Sequence, residues 1–162
     1  MTKVYRVVQR KTYVVSKVKV QNPIVHIPTF NIYQMSGSTF KTKIEALGLT
    51  VPMGMLDGEY FYTDLEGWGK VLLDLIFKSN LYKSNKFDCD NYALKAMNIC
   101  AERYGLNTLG MVIGDIPEGR HAFNIFYHGD GFMLWEPNEG FPFSGSPFDL
   151  GEYDYHPEMV LI

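Results

Sequence analysis

Residues 88–105 read DCDNYALKAMNICAERYG and residues 120–138 read RHAFNIFYHGDGFMLWEPN, and between them these stretches set the fold class. In the first, the apolar side chains of Tyr92, Ala93, Ala96, Met97 and Cys100 recur at helical spacing, and Gly105 stands where such a helix would stop. Asp88 is placed to cap it, so Cys89 takes the first helical position, where the helix dipole favours an anion. In the second, His121, Phe123 and Ile125 alternate with Ala122, Asn124 and Phe126, which is a strand pattern; GFMLWEP follows as another strand after the turn HGDG. A helix beside an antiparallel hairpin is an α+β arrangement. With the turn inside HGDG, His121 and Glu136 fall near the open ends of paired strands, where one can be brought alongside the other.

The same stretches set a thiol, an imidazole and a carboxylate in the order Cys89, His121, Glu136. A thiol acts as a nucleophile only as thiolate, so it needs a base beside it, and the base needs a third group to fix its tautomer. Asn138 is an alternative orienting group. Asn124 is not, because side chains alternate along a strand and it faces away from His121. The backbone N–H of Cys89, and Asn85 on the preceding loop, are the expected donors to a developing oxyanion. Asp88 and Asp90 flank the thiol and disfavour its anionic form. A bound Ca²⁺ with Asp88 and Asp90 among its ligands would reverse that effect; a capping Asp88 with a solvated Asp90 is the simpler arrangement. Phe87, Tyr92, Trp135 and Phe141 are the aromatics expected along the cleft.

A Cys opening a helix, a His in an HAF strand and an acid before Pro closing the next strand resemble the transglutaminase-like branch of the papain-like cysteine protease superfamily, over about residues 60–162. That family usually carries Asp before Pro. Glu136 before Pro137 departs from the pattern and is similar instead to the papain-like C-terminal domain of a fungal chimeric lectin, a calcium-dependent cysteine protease with a Cys, His, Glu set. The DCD and HA-x-N segments also resemble small bacteriophage proteins. The resemblance implies a nucleophile helix packed on an antiparallel sheet and a cysteine-dependent acyl-transfer enzyme, either an amide or peptide hydrolase or a transglutaminase-like enzyme. In it Cys89 attacks the carbonyl, His121 moves the proton and Glu136 orients His121. It implies a protein or peptide substrate and no required cofactor, with Ca²⁺ as the one candidate ion. The alternative from another class is a non-catalytic structural or assembly protein, for instance of a bacteriophage virion, that retains the fold.

The chain has 162 residues, 46% hydrophobic and 15% aromatic, which suffices for a core of its own and excludes a disordered or fibrous protein. No apolar run approaches the roughly twenty residues of a membrane span and no signal-peptide pattern opens the chain, so the expectation is a cytoplasmic or virion protein without a membrane partner. Cys89 and Cys100 lie on one predicted helix, about 16 Å apart along its axis, too far for a disulfide. The histidines, His26, His121, His128 and His156, have no zinc-ligand spacing.

The net charge of −3 conceals a division: the first 44 residues hold eight Lys or Arg and no acid, leaving seven basic against eighteen acidic residues for the rest. This suggests a basic, β-rich N-terminal extension, residues 1–58, and a core, residues 59–162, in one compact unit. Val-rich alternation within residues 3–20 predicts strands that pack on the acidic body, on another subunit or on an assembly partner; with no nucleic-acid motif present, nucleic acid is not the expected partner. Further along, Phe30–Met35 reads as a strand, Ser36-Gly37-Ser38 as a turn and residues 52–58 as a loop. Thr63 with Glu66 reads as a capping box before a helix whose buried face is Trp68, Val71, Leu72, Leu75 and Ile76. Residues 139–151 read as a rim loop, and YHPEMVLI as a closing strand.

Overall fold

A computed structural model describes residues 27–162. The strands expected within residues 3–20 lie outside the described residues. The chain is α+β. Strand β1 (Tyr33–Ser36) pairs antiparallel with β2 (Glu59–Tyr62) in a two-stranded ribbon, and helix α1 (Gly37–Glu45) lies between them in sequence. Helix α2 (Leu65–Val71) tightens into a 3₁₀ turn at Leu72–Leu75, and α3 (Cys89–Tyr104) follows. Strands β3 (Leu109–Ile116), β4 (Gly119–Tyr127), β5 (Phe132–Trp135) and β6 (His156–Leu161) form an antiparallel sheet in the order β5-β4-β3-β6.

The alternation in β4 decides which side chains meet which layer. Ala122, Asn124 and Phe126 face α3, where Ala93, Ala96 and Cys100 are fully buried beside Trp68, Leu75 and Trp135. Phe123 and Ile125 face the opposite layer with Phe40, Ile44, Tyr60 and Tyr155. Asn124 is the polar exception on the α3 side, and its side-chain amide donates to Ala93 O at 3.1 Å and to Gly110 O at 3.0 Å. Helix and sheet are thereby joined by hydrogen bonds as well as by packing.

Each outer strand of the sheet carries one isolated bridge. Thr50 bridges the outside of β6 through Thr50 N to Glu158 O and Val160 N to Thr50 O, and Phe148 does the same for β5 at Leu134.

Two sequence expectations need correcting. Ser36-Gly37-Ser38 is not a turn but the start of α1, with Ser36 as N-cap accepting from Thr39 N. Phe40 and Ile44, one helical turn apart, are both fully buried, and this packing holds a helix whose Gly and Thr residues favour it little. The cap of α2 is Asp64, whose Oδ1 accepts from Gly67 N at 2.9 Å, and not Thr63. Thr63 is buried against Gly67 instead: a Cβ at Gly67 would lie 2.0 Å from Thr63 Oγ1, so only glycine fits there.

Gly114 shows the same constraint in the sheet, since a Cβ there would lie 2.2 Å from the backbone oxygen of His156. Gly114→Ala must push β6 off β3. Chemical denaturation should show a loss of about 1–3 kcal/mol. Asn124→Ala should cost a similar amount, about 1–3 kcal/mol, because it leaves the Gly110 carbonyl buried without its side-chain donor.

Candidate functional site

Helix α3 begins at Cys89 because Asp88 occupies the N-cap: the Asp88 backbone N–H donates to Asn91 Oδ1 at 3.1 Å, and the Asp88 carboxylate accepts from Asn85 N at 2.9 Å. Packing of α3 on β3 and β4 then delivers the first helical turn to the start of β4. Strand β5 pairs with β4 only over Asn124–Tyr127, so among the described residues no strand pairs with residues 119–123 of β4 on that side. At this open edge the structure brings together Cys89, His121 and Glu136.

His121 Nε2 lies 2.8 Å from Glu136 Oε2 and donates to it. Glu136 is 1% exposed, and it also accepts from the Tyr155 hydroxyl at 3.3 Å and, through Oε1, from Asn138 N at 3.1 Å. The other side of the imidazole serves the thiol. Hydrogen bonding to His121 holds the half-buried Cys89 thiol below its ordinary range, burial opposes this, and the Ala122 backbone adds to the lowering. Burial works against charge on His121, but hydrogen bonds to Cys89 and Glu136 and their charges outweigh it and raise its pKa to about 9. The site therefore favours thiolate beside imidazolium. Cys100 is the opposite case: fully buried, it is pushed far above the ordinary thiol range, and both cysteines are free.

A cleft of about 290 Å³ opens over this group, with Tyr82, Glu118, Arg120, Asn138 and Phe141 among its walls. The Phe141 ring lies 5.0 Å from the His121 ring. Arg120 is already engaged by Asp115 and Glu158.

Other expected site residues fall elsewhere. Asn85 is exposed with φ 58 and does not line the cleft; its amide is committed to Asp88. Tyr92 and Trp135 are core residues, and Phe87 packs on Tyr92, so of the four expected aromatics only Phe141 reaches the cleft. Asn138 does line it, and supports Glu136 through its backbone. Asp88 and Asp90 share a hydrogen bond that lowers the pKa of Asp88 and raises that of Asp90. Among the described residues no group of three or more acid, histidine or cysteine side chains gathers to hold a metal ion. Tyr155, Tyr82 and Glu118 escaped the sequence reading. Tyr155 and Tyr82 have no local signature, whereas Pro117 and Gly119 carry a turn signal that places Glu118 and Arg120 at the cleft mouth.

No family model matches the chain, and no curated protein matches it. Solved structures do. A structure of Polyporus squamosus lectin bound to the human-type influenza-binding epitope Neu5Aca2-6Galb1-4GlcNAc is similar with a TM-score of 0.59 and 18% identity, over 80% of this chain and 49% of that one. A structure titled "PSL1a-E64 complex" is similar with a TM-score of 0.59 and 19% identity, over 80% of this chain and 51% of that one. The chain spans about half the length of these structures. At this identity the likeness is one of fold.

These matches correct the family resemblance. The neighbours are a lectin, and neither family models nor curated sequences tie the chain to papain-like or transglutaminase-like peptidases. The chain is therefore not assigned as a thiol protease, a transglutaminase-like hydrolase or a bacteriophage protein, and peptide substrates are not its assigned ligands. Physically, a His–Glu pair beside a thiol satisfies buried polar groups whether or not a substrate turns over, and one fold carries many functions.

Because the pKa of folded His121 is raised above the ordinary 6.5 to about 9, its stabilising contribution is full below pH 6.5 and is lost as pH rises through 9. Glu136→Gln should bring the His121 NMR titration midpoint down toward 6.5 and flatten that part of the stability–pH curve. Iodoacetamide at neutral pH should alkylate Cys89 and spare Cys100 in the folded chain, as peptide mapping would show.

Proposed function

We infer that this chain is a non-catalytic binding domain whose cleft over Cys89, His121 and Glu136 seats a neutral sugar. The observation that carries this is the composition of the cleft: an aromatic face at Phe141 and a second at Tyr82 stand beside the polar groups of Glu118, His121 and Asn138 in about 290 Å³. Sugar rings offer an apolar face to aromatic side chains and a rim of hydroxyls to polar ones, which is the mixture a small concave site needs. The likeness of fold to a lectin supports it. Arg120 is paired with Asp115 and Glu158, so among the described residues lining the cleft no Arg or Lys is left uncommitted for a sugar acid, which favours neutral over acidic glycans. Cys89, His121 and Glu136 then act as the rigid polar floor: Glu136 fixes the imidazole, and the imidazole carries the charge that holds the thiolate.

Calorimetric titration of the full chain with neutral and sialylated oligosaccharides tests this. Neutral sugars should bind; Phe141→Ala should weaken them about tenfold or more, and Cys89→Ser should still bind them, since no covalent step is involved. Turnover of an amide or peptide substrate that disappears in Cys89→Ser would overturn the non-catalytic reading. Equal sugar binding by Phe141→Ala would move the ligand to another surface.

A further inference from the structure

Seating a neutral sugar leaves one group in the cleft without a use. A polar floor needs no thiolate, yet the fold gives Cys89 the first position of α3, a hydrogen bond to His121 and a place on the cleft wall. His121 Nε2 is held by Glu136 Oε2 at 2.8 Å, so the ring is fixed with its other nitrogen toward the sulfur. The thiol is half-buried, and it opens on a cleft of about 290 Å³. That opening admits a small molecule.

The second cysteine decides what such an encounter leaves on the protein. A thiolate exchanges with a disulfide through a mixed disulfide, which lasts until another thiolate attacks it. The chain has only two cysteines, and Cys100 stands three turns further along α3, roughly 16 Å along the helix axis. It is fully buried, and burial keeps its thiol protonated. The two sulfurs cannot come within bonding distance while α3 is intact, so the folded chain has no thiol to resolve a mixed disulfide at Cys89. We propose that Cys89 is a modification site for small-molecule disulfides, which leave half of the reagent in the cleft as a persistent mixed disulfide. The Cys89 sulfur attacks one sulfur of the reagent. A new S–S bond forms as the old one breaks, and the departing thiolate takes its proton from the His121 imidazolium. Cys89 is oxidised and the released thiol is reduced, so no further oxidant enters. The step uses only the thiol, the imidazole and the opening, and is independent of whether the cleft binds a sugar.

The test uses the folded full chain and 2-hydroxyethyl disulfide, a small uncharged reagent, with N-acetylcysteine as the ordinary thiol for comparison. The intact mass should rise by one hydroxyethylthio group, peptide mapping should place it at Cys89 with Cys100 unmodified, and the adduct should survive removal of excess reagent and be released by dithiothreitol. Between pH 8 and pH 6 the exchange rate of N-acetylcysteine should fall nearly a hundredfold as its thiolate is lost, and that of Cys89 at least threefold less, because His121 holds its thiol low. In the adduct the sulfur no longer carries charge or a proton, so the NMR titration midpoint of His121 should fall below about 9 without any substitution. Absence of an adduct, equal modification of Cys100, a pH profile matching that of N-acetylcysteine, an unmoved His121 midpoint, or conversion of the adduct to a Cys89–Cys100 disulfide would each overturn the proposal.

Discussion

The two hydrogen bonds made by Asn124 hold the rest of the arrangement in place. The amide nitrogen of fully buried Asn124 gives both its hydrogens to backbone oxygens, one on α3 and one on β3, while its Oδ1 has no partner among the described residues. Apolar contacts between a helix and a sheet permit sliding by fractions of an ångström at little cost. Directed hydrogen bonds do not. The position of Ala93 along β4 is thereby set, and with it that of Cys89, one helical turn earlier at the head of α3. The thiol reaches His121 because an amide three residues along the same strand fixes the helix.

From there the charges follow in a chain. Glu136 receives three hydrogen bonds, from His121, Tyr155 and Asn138, in a place almost closed to water. Burial alone would keep the imidazole neutral. The nearby carboxylate and thiol reverse the balance, and the protonated ring in turn keeps the thiol low. Cys89 and Glu136 both hold the proton on His121, so loss of Glu136 lowers the imidazole toward its ordinary range and weakens the counter-charge at the thiol.

How much of this could be read from the sequence depends on how local each signal is. Helix α3 and the β4–β5 hairpin were legible because capping, periodicity and turn chemistry all sit within short windows around Asp88, Gly105 and HGDG. The meeting of Cys89, His121 and Glu136 was legible because those windows also fix their strand and helix ends. Helix α1 was not: its Gly and Thr content reads as a turn, and only burial of Phe40 and Ile44 against distant Tyr60 and Tyr127 makes it a helix. Tyr155 supports Glu136 from nineteen residues away through tertiary folding alone. What the cluster is for was not legible either, because the order of a thiol, an imidazole and an acid constrains chemistry but does not choose between binding and turnover.

The two ends of β4 are held differently. Residues 119–126 of β4 pair with β3, and only Asn124–Tyr127 also pair with β5, so the strand is held on both sides at its turn end and on one side at the Cys89 cleft. Asn124, at its centre, ties it to α3 and β3. The aromatic and polar cleft over the ion pair therefore occupies the end of the strand that pairing among the described residues leaves open on one side, and its geometry rests on β3 and α3 rather than on β5.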